Sequence, residues 1–265
     1  MKKAVVPPKK IIVNSDYGHL GFIKENKGLN LVIEKLGNSF LKAFPTETDA
    51  HFFSHTYSYR IAGLRHRLKF YIDLYSYLDI STSDLSSLEQ SYWTLSTPLA
   101  NRTKKDFTLV FGNLLRTLSR TDGKIYDRLK LLSRVECIRL DEAMMCLDHG
   151  CNLSSVVMSV SAVEYRLHKL ISKKNKTIYR KDFEKATLGG IIALFKDGQY
   201  LDKKYQPLKK ILPIKHKPLL EMLNIYRIFS AHPNDVAITN QIAKSILSLS
   251  FSFLIDKELL IPGQK

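Results

Sequence analysis

Apolar residues recur at spacings of three and four along most of this chain, and that period constrains its fold more than any other feature. Within residues 28–44 it predicts one apolar helix face made of Leu29, Val32, Ile33, Leu36, Phe40 and Leu41. Alternation typical of strands is confined to the beginning of the chain, where "KIIV" predicts a short strand. The period therefore predicts an all-α fold.

Turn residues divide the first part of the pattern into separate helices. Helices are expected at about residues 84–95, 103–119 and 123–134, and "RTDGK" is interpreted as the break between the last two. The helical pattern becomes more regular from residue 135. We therefore expect a helical domain of unknown role over 1–134 and a second helical domain over 135–265.

Capping residues place several helix ends in the second part. Gly150 is expected at the C′ position of one helix and Asn152 as the N-cap of the next. Thr239 is expected to cap the last long helix. His232 precedes Pro233, a position that disfavours helical backbone, so it is expected just past the end of its helix.

The net charge suggests a polyanionic partner. Lys and Arg number 41 against 25 Asp and Glu, which gives a formal charge of +16. Nucleic acid is the first candidate and an anionic membrane surface the second, although a Lys-rich surface without any such role is an open alternative. The aromatic residues Phe70, Tyr71, Tyr75 and Tyr77 offer rings for stacking on bases, but their helical spacing is more typical of a core.

The cysteines and apolar segments predict a cytoplasmic protein that does not enter a membrane. Cys137, Cys146 and Cys151 form no CxxC pair, which favours a reducing compartment. The N-terminal apolar run is interrupted by Pro7 and Pro8, unlike a signal peptide. The most apolar later segment, 245–255, is too short to span a bilayer.

No metal or cofactor is expected from the motifs. His51 and His55 have the spacing of two zinc ligands on a helix, but the Glu that would follow the first is absent. Cys146, His149 and Cys151 do not have the spacing of a tetrahedral zinc module, and the sequence contains no Gly-rich phosphate loop.

Four features from residue 135 onward resemble the HEPN family of helical domains. They are the helix pair "LDEAMMCLDHGCNLSSVVMSVSAVEYRLHKLI", the segment "TLGGIIALF", the segment "LLEMLNIYRIFSAHP" and the long apolar final helix. The third carries an Arg-x4-His pair, Arg227 and His232, like the family's Arg-x(4–6)-His signature. The resemblance covers about 135–258, a little under half of the chain, and implies a HEPN-like helical bundle.

The resemblance implies a metal-independent endoribonuclease that acts as a homodimer, with the signature of both subunits lining one cleft. RNA cleavage by the 2′-hydroxyl requires proton transfer, which His232 would perform, and a cation near the phosphate oxygens, which Arg227 would supply. Residues five apart on a helix point about 140° away from each other. Either the turn at Pro233 or a second subunit must therefore bring the two side chains together.

One position departs from the family pattern. The residue after the Arg is often Asn or Asp in the family, whereas here it is Ile228. Ser230 and Asn234 are candidates to replace that polar group, and Glu164 is a further candidate for the site. Glu164 and His168 are also compatible with a simple pair on one helix face. Arg227 and His232 are likewise compatible with a helix cap and a turn residue.

RNA is the expected partner, and a basic segment would contact its backbone. That segment contains Lys173, Lys174, Lys176, Arg180 and Lys181. Family analogy further implies a toxin or defence effector, with residues 1–134 sensing, restraining or positioning the substrate and a regulatory protein as a possible partner. The alternative is a non-catalytic HEPN-like module that binds nucleic acid or scaffolds a protein complex.

Overall fold

The structure is a computed structural model that describes residues 18–44, 58–78, 80, 83–96, 103–193, 203–208, 211, 214–232 and 237–259. Every regular element in these ranges is helical, so the predicted all-α fold is confirmed. The predicted strand at "KIIV" lies outside the described residues. No helix within these ranges is both long enough and apolar enough to cross a membrane.

The chain forms two compact units, residues 1–129 and 130–265. The division lies just before Ser133, whose side chain caps the first helix of the second unit. The carbonyl of Leu131 also accepts a hydrogen bond from Arg166. Residues 130–133 thus belong physically with the second unit.

The first unit is built from five described helices. They are α1 (Gly18–Glu25), α2 (Asn30–Lys42), α3 (Ser58–Tyr77), α4 (Ser83–Ser96) and α5 (Lys104–Leu129). The long helix α5 packs on α1, α2 and α4. The side chains of Phe70, Tyr71, Tyr75 and Tyr77 are all buried, so their interpretation as core residues is confirmed.

The predicted break at "RTDGK" is wrong, because α5 is continuous through it. The buried carboxylate of Asp122 accepts hydrogen bonds from the backbone N–H groups of Leu29 and Asn30, at 3.1 and 2.7 Å. The Tyr71 hydroxyl donates a third bond to it. A residue that is typical of turns therefore lies inside a helix and caps the start of another one. Burial raises the pKa of Asp122 above its ordinary value, and these three bonds oppose part of that rise.

The second unit contains four long helices and several short ones. The long helices are α6 (Arg134–Asp148), α7 (Asn152–Lys174), α10 (Lys217–Ala231) and α11 (Asn240–Leu254). The short elements are α8 (Lys176–Ile178), a π-helical turn (Tyr179–Phe183), α9 (Leu188–Ile192) and 3-10 turns at Lys203–Leu208, Ile214–His216 and Lys257–Leu259. Helix α7 is central, since α6, α10 and α11 all pack on it.

The helix ends of this unit follow the sequence with one exception. Gly150 lies at the C′ position after α6 with a φ of +74°, and the Thr239 side chain caps α11. Asn152 is not an N-cap, because Cys151 holds that position. The Asn152 amide instead donates to the carbonyl of Ile238, 3.1 Å away, and this bond ties the start of α7 to the segment before α11.

A buried ion pair joins the helices of this unit. Arg166 of α7 is fully buried and donates two hydrogen bonds to the Glu136 carboxylate of α6, at 2.5 and 2.7 Å. It also donates to the carbonyls of Leu131, Leu254 and Leu259. The same Glu136 carboxylate accepts from the N–H of Ser133 in a capping box. The charge of each partner is therefore compensated and its bonding capacity largely filled.

We predict that Glu136→Ala lowers the free energy of unfolding by about 3–5 kcal/mol, because it leaves the Arg166 charge buried without a counter-ion. Urea denaturation of the full chain, followed by circular dichroism, measures the change. Glu142→Ala is the matched control, since Glu142 is exposed on the same helix. The double variant Glu136→Leu with Arg166→Met should recover stability relative to Glu136→Ala. An equal loss in the Glu136 and Glu142 variants would contradict the role of the pair.

Candidate functional site

The two signature residues lie at the C-terminal end of α10. The helix ends at Ala231, and His232 follows in an extended conformation with φ −121° and ψ 142°. The prediction that His232 lies just past the helix end is thus confirmed. The His232 side chain is exposed, whereas Arg227 is partly buried on the side of α10 that faces α7.

Glu164 of α7 pairs with Arg227 of α10. Arg227 Nε lies 3.8 Å from Glu164 Oε2, and both side chains are only partly exposed. This contact fixes the guanidinium at the seam between the two helices. The structure thus places Glu164, a candidate site residue from the sequence, next to Arg227.

A cleft of about 390 Å³ opens beside this pair, along the outer face of α7. It is lined by Arg139, Glu164, Tyr165, His168, Lys169, Ser172, Tyr179 and Glu184. The lining therefore combines two cations and two carboxylates with an imidazole and two phenol rings. The charges of Arg139 and Lys169 lie 5.3 and 5.4 Å from the centroid of the Tyr165 ring. The two cations suit an anionic group and the phenol rings suit a flat ring, while Glu164 and Glu184 offset the positive charge of the lining.

His168 is a cleft residue that the sequence did not assign to the site. Its Nδ1 is buried and has no hydrogen-bond partner among the described residues, and its ring meets that of Tyr179 edge to face at 5.8 Å. The sequence contained one signal that could have assigned His168 to the site. His168 follows Glu164 by four residues, and this spacing places both side chains on one face of α7.

The other proposed supporting residues are placed less directly. Ser230 Oγ is buried and makes no hydrogen bond to any described residue. Asn234 lies outside the residues that the structure describes. Ile228, the residue after Arg227, is exposed on α10. Because its side chain is apolar, this position offers no polar group to the site.

All five residues of the predicted basic segment are exposed. Lys173 and Lys174 end α7, Lys176 begins α8, and Arg180 and Lys181 lie in the π-helical turn that follows. Tyr179 of the same turn lines the cleft. The basic segment, defined by these five residues, is therefore adjacent in the chain to residues that line the cleft.

The chain was compared with protein-family models, curated proteins and solved structures, and it matches none of them. The HEPN resemblance thus remains a prediction that depends on the four sequence features. The geometry of α7 and α10 is an independent basis for inferring function.

We predict that Glu164→Gln changes the free energy of unfolding by about 1 kcal/mol or less, because a 3.8 Å pair between partly exposed side chains contributes little. Urea denaturation beside the wild type measures this. A loss several times larger would show that Glu164 holds the fold. If the loss of stability is small, Glu164→Gln can be used to test the role of this carboxylate in the cleft without disturbing the fold.

Proposed function

We propose that this protein is a metal-independent endoribonuclease of HEPN type that acts as a homodimer. The observation that supports the proposal most is that Arg227 and His232 lie around the end of α10 and that Arg227 pairs with Glu164, which lines a charged cleft. In this proposal His232 transfers the proton of the attacking 2′-hydroxyl or of the leaving oxygen. Arg227 stabilises the negative charge that develops on the phosphate.

Helix geometry supports the dimer. Arg227 faces α7, whereas His232 follows the helix end in an extended conformation and its side chain is exposed. In one copy the guanidinium therefore lies at the contact between α7 and α10, and the imidazole lies beyond the end of α10. The exposed face of α10 also presents Ile225 and Ile228, which are 49% and 42% exposed. In this proposal a second copy packs on this apolar face and brings its own His232 toward Arg227.

The basic segment supports RNA as the substrate. Its five cations are exposed, and Tyr179 of the same stretch of chain lines the cleft. In this proposal a bound strand places its phosphates along these cations. Such contacts give affinity without base preference and weaken with added salt. The role as a toxin or defence effector, and regulation through residues 1–134 by a partner protein, come from the family resemblance alone.

A non-catalytic HEPN-like module that binds nucleic acid or scaffolds a complex is the alternative. Ile228 favours it, because no polar side chain stands after Arg227 to orient the site. The Glu164 carboxylate also neutralises part of the Arg227 charge. Both hypotheses include RNA binding, and they differ in whether RNA is cut.

We predict that the wild-type protein cleaves RNA in the presence of EDTA and that Arg227→Ala and His232→Ala each reduce the rate at least about 100-fold. Gel analysis of a labelled RNA at equal protein concentrations measures the rate. Circular dichroism and RNA affinity should stay close to wild type, since His232 is exposed and Arg227 makes only a 3.8 Å pair with Glu164.

His149→Ala is the matched control, because His149 is also an exposed histidine at the C-cap of a helix in the same unit. It should leave cleavage unchanged. RNA binding without cleavage by the wild type would reject the nuclease and favour the binding module. Cleavage that survives both signature variants would assign the activity to another site.

A further inference from the structure

Three potential metal ligands meet at the N-terminal end of α10, away from the proposed ribonuclease site. His216 ends the 3-10 turn before α10, and Asp256 and Glu258 follow α11. One ligand atom from each of the three side chains lies within 4.8 Å of the other two. Residues that are about 40 positions apart in the sequence thus converge on one point.

His216 directs a buried ring nitrogen at this cluster. Its side chain is 9% exposed, and its ring packs edge to face on Phe253 at 5.3 Å. His216 Nε2 is buried and lies 3.2 Å from Asp256 Oδ2, so an imidazole nitrogen and a carboxylate oxygen face each other. That separation is close to the roughly 3.3–3.5 Å between neighbouring ligand atoms of one tetrahedral metal ion.

Asp256 and Glu258 each place one carboxylate oxygen in the cluster. Asp256 Oδ1 accepts a hydrogen bond from the N–H of Glu258 at 2.9 Å, which leaves Oδ2 directed at His216. The Lys215 ammonium lies between the two carboxylates, 3.3 Å from Asp256 and 2.9 Å from Glu258. The Lys215 ammonium is thus the cation that now neutralises the two carboxylates. The Lys215 side chain is 52% exposed, so it can rotate into solvent when a metal ion binds.

We propose that His216 Nε2, Asp256 Oδ2 and the Glu258 carboxylate form a binding site for a divalent transition-metal ion, with Zn²⁺ as the preferred ion. One imidazole and two carboxylates make a ligand set that suits Zn²⁺ better than Mg²⁺ or Ca²⁺, which prefer oxygen alone. Ligand atoms around Zn²⁺ lie about 3.3–3.5 Å apart, given bonds of about 2.0–2.2 Å. Rotation of the exposed Glu258 side chain closes the remaining gap.

The proposed ion has a structural role and is separate from RNA cleavage. From His216 to His232 the helix rise spans roughly 24 Å, so the ion lies far from the signature residues. It would instead join the start of α10 to the segment after α11. That segment supplies the Leu259 carbonyl, which, like the carbonyl of Leu254 at the end of α11, accepts a hydrogen bond from Arg166. Metal binding would therefore stabilise the surroundings of the buried ion pair.

Isothermal titration calorimetry with ZnCl₂ tests the site on the full chain after EDTA treatment and dialysis. One Zn²⁺ should bind per chain, and MgCl₂ or CaCl₂ should give far weaker binding. Glu258→Gln and Asp256→Asn should each weaken Zn²⁺ binding about tenfold or more, because each removes a charged ligand. Glu258 is largely exposed, so its substitution leaves the fold intact.

Two further variants test whether the ion binds at this cluster. Lys215→Ala should tighten Zn²⁺ binding, since it removes the cation that competes for the carboxylates. Glu221→Gln on nearby α10 is the matched control and should have no effect, because Glu221 pairs only loosely with Lys217, at 3.9 Å. Absence of Zn²⁺ binding would overturn the proposal. Equal Zn²⁺ affinity of the wild type and Glu258→Gln would also overturn it. Loss of Zn²⁺ binding in Cys146→Ser or Cys151→Ser would place the ion at the cysteines and overturn it as well.

Discussion

The second unit depends on the buried pair between Arg166 and Glu136. Five hydrogen bonds from one guanidinium hold the beginning of α6, the middle of α7 and the end of α11 with the segment after it. Such a charge is stable inside a protein only when all of these partners are present together. The first unit uses a related device, because the buried Asp122 caps α2 from inside α5. In both units a buried carboxylate determines where a helix begins.

The same pair positions the candidate site. Side chains two positions from Arg166 on α7 point about 160° away from it, given 3.6 residues per turn. Because Arg166 faces the core, Glu164 and His168 must face outward, where the cleft and Arg227 lie. The orientation of the cleft is thus a consequence of which α7 residue is buried. At the other end of α10, the His216 cluster is built on the segment whose Leu259 carbonyl Arg166 binds.

Local signals in the sequence predicted the helices and most of their ends. Gly150, Thr239 and the X-Pro position of His232 each act through their own backbone or their immediate neighbours. Interactions between distant residues were not predictable in this way. Asp122 resembles a turn residue until its bonds to residues 93 and 92 positions away are known. The cleft at His168 and the three-residue cluster at His216 likewise depend on how separate helices pack.

The proposed ribonuclease requires two copies to share each site, with Arg227 from one copy and His232 from the other. Mixing Arg227→Ala and His232→Ala chains under conditions that exchange subunits tests this most directly, by RNA cleavage in EDTA. Each variant alone should be inactive. The mixture should recover about a quarter of the wild-type rate, since half of the dimers are mixed and each has one intact site. A mixture as inactive as either variant alone would contradict the shared site.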